Sequence, residues 1–286
     1  MRKPIFSALF AATTVLVSSL GYANESGLPF PLIKGQLTQG SMLVGKLPDA
    51  KEVIFAERSL MRDAKGHFVF GVGRDAPQEQ HLKWQSADGK WHKVSFTISQ
   101  REYDIDKIEG VEKKYVSPSP EVSERIRNDA IMVKTARASA STRTDFLAPV
   151  YKPASGRISG VYGSQRYFNG TPKRPHYGLD IANKTGTPIY APLPGKVAFA
   201  HPDLYYSGGT LIIDHGHGIT STYIHMHKLD VEQGDEVKTG TVIGQIGATG
   251  RVTGPHLDWR LNWFDTRLDP QILMLDILAS EAKTND

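Results

Sequence analysis

Seven of the ten histidines lie beyond residue 150, and three short stretches there set histidine beside a carboxylate or a second histidine. They are Pro175-His176-Tyr177-Gly178-Leu179-Asp180, Thr222-Tyr223-Ile224-His225-Met226-His227 and Gly254-Pro255-His256-Leu257-Asp258-Trp259. The chain has no cysteine, so a thiolate nucleophile is excluded and any zinc site must use His, Asp or Glu. Zinc accepts imidazole nitrogen and carboxylate oxygen at about 2 Å, and a catalytic site offers three protein ligands and an open position. His256 and Asp258 are two apart in an expected strand and share a face. His176 and Asp180 also share one, although an extended chain would leave their backbones about 13 Å apart. Gly178 lets the chain bend between them. Taken singly, His-x-x-x-Asp is a weak pattern, and an isolated His176 reads as a structural histidine.

The elements that must position these residues are mostly strands. In the first half, Leu82-Lys83-Trp84 and Val94-Ser95-Phe96-Thr97-Ile98 alternate with period two around the turn signal Asp88-Gly89. A second hairpin is expected around Lys65-Gly66, between Ser59-Leu60-Met61 and Phe68-Val69-Phe70. Short strands with regular turns suggest a small sandwich. One helix is clear: Ser119 caps it, Pro120 suits its first turn, and Val122, Ile126 and Val133 recur at near-helical spacing. It fades into Ala138-Ser139-Ala140-Ser141-Thr142, which reads as a linker. Strand-like runs follow at Ile158–Gly163, Leu211–Asp214 and Val242–Gly247, and Pro270 to Leu278 looks helical. No βαβ pattern suggests a nucleotide fold. The expected organisation is mainly β: a signal peptide at 1–23, a β-rich sandwich-like domain at 24–110, a helix and linker at 111–145, an antiparallel β domain at 146–275 and a tail at 276–286.

The opening residues are read as a secretory signal: Arg2 and Lys3, an uncharged apolar run from Ile5 to Leu20, and small residues ending at Ala23. That predicts export, cleavage near Ala23 and no transmembrane span in the mature form. Residues 1–23 carry two positive charges and no acid, so the formal charge falls from +4 to +2 on cleavage. So small an excess identifies no partner, and no basic run of nucleic-acid type is present. Nothing in the sequence sets an oligomeric state.

Residues 156 to 270 resemble the lysostaphin-type, or LytM-type, peptidoglycan metallopeptidases. The resemblance rests on Gly160-Val161-Tyr162-Gly163, His176-Tyr177-Gly178-Leu179-Asp180, Thr187-Pro188-Ile189-Tyr190-Ala191-Pro192, Gly195-Lys196-Val197, Ile213-Asp214-His215-Gly216, Tyr223-Ile224-His225-Met226, Gly247-Ala248-Thr249-Gly250 and Thr253-Gly254-Pro255-His256-Leu257, in that order. It implies an exported, periplasmic enzyme of Gram-negative type holding one zinc per chain. Its substrate would be a peptide of peptidoglycan, cleaved in a cross-link or stem. His176 and Asp180 match the family's first two zinc ligands. His225 and His256 match its catalytic histidines, one moving protons and the other stabilising the oxyanion. Tyr223 and Asn169 are weaker candidates for substrate contact. The remaining histidines, His227 included, read as structural or surface residues.

One position departs from the pattern. The family's third zinc ligand is a histidine, and Asp258 stands in its place. A carboxylate oxygen of aspartate and the near nitrogen of histidine both lie three bonds from the α-carbon, so Asp258 can present a donor at the same point. Two Asp and one His would leave a bound zinc formally neutral and a weaker Lewis acid. The rival expectation is an inactive LytM-like module that binds wall or activates an amidase; a peptidase acting on a protein substrate is a further one.

Overall fold

The computed structural model describes residues 31–108 and 119–275. The expected signal peptide and the tail at 276–286 lie outside the described residues. In Glu79–Gln85, Gln80, Leu82 and Trp84 are buried while their neighbours face outward, and the strand pairs antiparallel with Trp91–Thr97 around Asp88-Gly89. Gly89 has φ +87°, a conformation that glycine adopts without a steric penalty.

The second expected hairpin does not form. Arg58–Ser59 pairs with Glu52–Phe55, and His67–Gly71 pairs with Met42–Lys46 in another sheet. The turn at Lys65-Gly66 exists, closed by Gly66 N–H to the Asp63 carbonyl at 3.0 Å, but it joins two sheets. The hairpin that does form turns at Ala56-Glu57, both at positive φ. That conformation favours Asn and Gly, so the turn gave no signal in sequence. The two sheets meet through Phe55 and Phe70, whose ring centroids lie 4.4 Å apart.

The C-terminal half is a ten-stranded antiparallel sheet. Gly195–Leu204, Gly208–Gly216, Ile219–Leu229, His256–Trp263, Leu179–Ala182 and Arg157–Gly160 succeed one another across it. Alternation sorts its two faces. Leu257, Trp259 and Leu261 are buried in the core with Leu179, Ile181 and Tyr223. His256, Asp258 and Arg260 take the other face, as does Asp180, which is in register with Asp258. This is the face that carries the chemistry. Residues 270–275 are helical.

The helix Pro120–Arg137 starts as its sequence requires: the Ser119 side chain accepts from Val122 N–H, Pro120 opens the first turn and Glu121 stands at its positive end. It has no buried residue and is held by polar ties, Arg125 to Asp203 and Asp129 to the backbone N–H of Tyr205 at 2.7 Å. The small-residue tract after it is docked rather than free. Ser139 donates to Asp214 at 2.7 Å, the Ser141 carbonyl accepts from His217 N–H, and Phe146 packs on His217.

From Leu32 onward the described residues form one compact unit. Arg101 pairs with buried Asp269 at 2.7 Å, and Ile105–Ile108 lies parallel to Gln165–Phe168, in the hairpin just ahead of His176.

Candidate metal centre

Asp180 and Asp258 face each other directly on neighbouring strands. Like charges in that position repel, and both residues are buried, so the pair calls for a cation. His176 completes a cluster in which one donor atom from each residue lies within 4.8 Å of the others. Its Nε2 sits 3.0 Å from Asp180 Oδ1. Neither ring nitrogen of His176 has a hydrogen-bond partner, nor has Asp180 Oδ1, although all three atoms are buried. Buried polar atoms are almost always paired; unpaired donors turned on one point are what a metal site needs. His176 is placed by its backbone, whose N–H donates to the Ser164 carbonyl at 2.9 Å and whose carbonyl accepts from Gly163 N–H at 2.7 Å.

Asp258 is different, because Arg260 already holds it. Arg260 Nε and Nη2 donate to Asp258 Oδ1 and Oδ2 at 2.9 and 2.6 Å. Burial pushes the Asp258 carboxyl up, but the Arg260 guanidinium more than offsets it, and Asp258 ends well below the ordinary carboxylate range. Each carboxylate oxygen has two lone pairs. The arginine occupies one on each, and a metal can use another. Arg166 braces Asp180 Oδ2 more loosely, at 3.5 Å. The three donors therefore fit zinc, which takes such nitrogen and oxygen ligands at nearly equal distance.

Beside the cluster stand two histidines, ring centroids 4.9 Å apart. His225 occupies a break in the pairing of its strand, with φ +66°. Its Nδ1 donates to the Thr249 carbonyl at 2.8 Å. Thr249 is itself clamped, its hydroxyl donating to the Met226 carbonyl and accepting from Gly209 N–H. This explains the Gly247-Ala248-Thr249-Gly250 run: it is the bracket that fixes the His225 ring. His256 Nδ1 donates to the Gly254 carbonyl at 2.8 Å. Both rings thus keep Nε2 as the lone-pair nitrogen, and His256 Nε2 lies 4.0 Å from Asp180 Oδ1.

The family model described as Peptidase family M23 matches residues 174–270. The chain carries an M23 peptidase domain. Among curated relatives, the Peptidoglycan DD-endopeptidase ShyA of Vibrio cholerae serotype O1 is 40% identical over 108 residues, which is 37% of this chain and 24% of that protein. The Glycyl-glycine endopeptidase ALE-1 of Staphylococcus capitis is 36% identical over 100 residues, 35% of this chain and 28% of that one. The chain thus spans about a quarter of the length of the curated relatives it matches. A crystal structure of a putative peptidase M23 from Pseudomonas aeruginosa is similar over 83% of this chain and 95% of its own, with TM-score 0.65 and 29% identity. That likeness reaches well beyond the M23 domain.

Within the M23 domain and its flanks, the structure brings His176, Asp180, Asp258, His225 and His256 together. It takes Tyr223 away from them. Tyr223 is in register with Trp259 on the core face, fully buried, with its hydroxyl hydrogen-bonded to Ser221 at 2.8 Å. Period two sends neighbours to opposite faces, and the break at His225 is what returns that ring to the functional side. Asn169 lies at the exposed tip of the 165–172 hairpin with φ +48°. His215 is a core residue bonded to the Pro194 carbonyl and Ser221, and His227 is exposed. Sequence reading missed Arg260, Arg166 and Thr249. Two of them carried a signal: Arg260 stands two residues beyond Asp258, hence on the same face, and Thr249 lies in the Gly247-Ala248-Thr249-Gly250 run.

Two consequences can be measured. A Cβ at Gly178 would fall 2.0 Å from Asp258 Oδ1 and 3.1 Å from Arg260 Cγ. Gly178→Ala should therefore push Asp258 out of place and weaken zinc binding by about 10- to 100-fold; a chelator-competition titration that matches the parent protein would remove this glycine from the site. The second concerns acid. Burial lowers the His225 pKa from 6.5 to about 4 and depresses His215 and His217 as well. An unfolded chain takes up these protons near pH 6.5, the folded one only at lower pH, near 4 for His225, so the unfolded state binds more protons in between. Stability is full above about pH 6.5 and falls toward pH 4, by about 3 kcal/mol from His225 alone. Urea midpoints of the metal-free protein at pH 7.5 and 5 should show the loss.

Proposed function

We propose that this chain is an exported, zinc-dependent endopeptidase that hydrolyses peptide cross-links or stem peptides of peptidoglycan in the periplasm. The observation that carries the reading is a buried set of His176, Asp180 and Asp258, with donor atoms of His176 and Asp180 unpaired, flanked by two histidines whose Nε2 atoms are free to exchange protons. The relatives' names, one a DD-endopeptidase and one a glycyl-glycine endopeptidase, supply the substrate class. Among the described residues no helix is long and apolar enough to cross a membrane.

His176, Asp180 and Asp258 would hold the ion. Bound there, a divalent metal supplies Lewis-acid polarisation of the scissile carbonyl and acidifies water. His225 is neutral at pH 7, because burial holds its pKa near 4, and its Nδ1–H is spent on Thr249. Its Nε2 is thus a proton acceptor of fixed orientation, suited to general-base work. His256, at the more open side of the pair, has the same tautomer imposed by Gly254. Protonated in the course of reaction, it can hydrogen-bond the developing oxyanion or return a proton to the leaving amine. His176, Asp180, His225 and His256 all match the family pattern, and Asp258 still offers a donor oxygen at the fifth position, which speaks against the inactive-module reading.

The test is digestion of purified sacculi with zinc-loaded protein, products being read by mass spectrometry. New free amines and a fall in cross-linked muropeptides are expected, abolished by chelator and restored by zinc. Sacculi left intact by the metal-loaded protein would overturn the proposal.

A further inference from the structure

Two features of the centre make a single device. First, Asp258 is anionic where a neutral histidine would leave more positive charge on the metal. Second, the residue two positions on, Arg260, reaches the same sheet face and grips both oxygens of the buried Asp258, its own side chain being partly buried. Asp180, in register with Asp258, already supplies one carboxylate. Without Arg260, two buried carboxylates would face each other, with Arg166, at 3.5 Å from Asp180, the arginine left to pair with them among the described residues.

We propose that Arg260 is the positioning residue of the metal centre: it is the resident counter-ion of Asp258, holding the carboxylate in place before metal enters and sharing it afterwards. The Asp258–Arg260 pair then acts as one electrically neutral third ligand. The site keeps the formal +1 of a zinc with one carboxylate and two neutral ligands, because the charge added at 258 is cancelled at 260. Metal and Arg260 compete as cations for one carboxylate. It follows that neither residue can be exchanged alone. Asp258→His leaves a partly buried guanidinium unpaired beside the metal, and Arg260→Gln leaves a bare carboxylate for the metal to satisfy.

This inference rests on the reading of the cluster as a metal site, and the experiment separates the two. Zinc affinity is measured by chelator competition for the parent protein, Asp258→His, Arg260→Gln and the double variant. Asp258→His should bind zinc about tenfold or more weakly than the parent, and adding Arg260→Gln should recover most of that loss. A double variant that binds no more tightly than Asp258→His overturns the pairing. A parent protein that takes up no zinc overturns the metal site itself. If Asp258→His fails to fold, a second arm decides. Arg260→Gln should lower the melting temperature of metal-free protein, and zinc should raise it by more than it raises the parent's, because metal takes over the missing counter-ion's task. Arg260→Lys, which keeps the charge, should behave like the parent. Equal zinc-induced rises in Arg260→Gln and the parent would mean that Arg260 is structural only.

Discussion

His176→Ala should leave a folded protein that no longer retains zinc and no longer cleaves peptide. Two carboxylates remain after the change, each already braced by an arginine, and zinc binds poorly to so few donors. Losing the metal removes several kcal/mol of transition-state stabilisation, about a thousandfold or more in rate. The fold should survive. His176 is buried, but its ring nitrogens satisfy no other protein atom, so truncation breaks no hydrogen bond; what it costs is packing. Metal analysis after dialysis, with a thermal melt of the same sample, tests both halves. A His176→Ala protein that holds a full equivalent of zinc would exclude this residue as a ligand.

His225→Ala and His256→Ala should give the opposite dissociation, with metal kept and turnover lost. Neither ring belongs to the donor cluster, and each is tethered through Nδ1 to a loop carbonyl, Thr249 or Gly254. Proton-transfer groups typically contribute about 100- to 10,000-fold, and the loss should lie in kcat. His225→Ala should be the more severe, since burial keeps that imidazole neutral and its tether clamps it. Zinc content that falls in step with activity in either variant would show that ligands and proton carriers have been divided wrongly.

Much of this centre was legible in sequence because it rests on short-range geometry. His256 and Asp258 share a face through strand period alone, and the Ser119-Pro120-Glu121 helix start and the Asp88-Gly89 hairpin are local chemistry. What stayed hidden depends on pairing across strands. Nothing near Asp180 announces that it sits in register with Asp258, and nothing near Tyr223 shows that the break at His225 leaves it on the core side. The hairpin at Ala56-Glu57 was invisible because neither residue is a usual turn former. Arg260 illustrates the limit best. Counting ligands alone makes a bound zinc formally neutral; the guanidinium on Asp258 adds a positive charge that such a count leaves out.

The parallel pairing of Ile105–Ile108 with Gln165–Phe168 bears on how such a protein can evolve. Domain boundaries fall where few contacts cross, and composition alone would put the cut near residue 146. Here that cut strands part of one sheet on the wrong side. The transferred piece would carry Gln165–Phe168 with only Thr171–Pro172 beside it, an open edge available to another copy of itself. Arg166, which steadies Asp180, lies on that edge. The peptidase half thus depends on a four-residue strand some sixty positions upstream, and a transfer that left that strand behind would expose the edge beside Arg166.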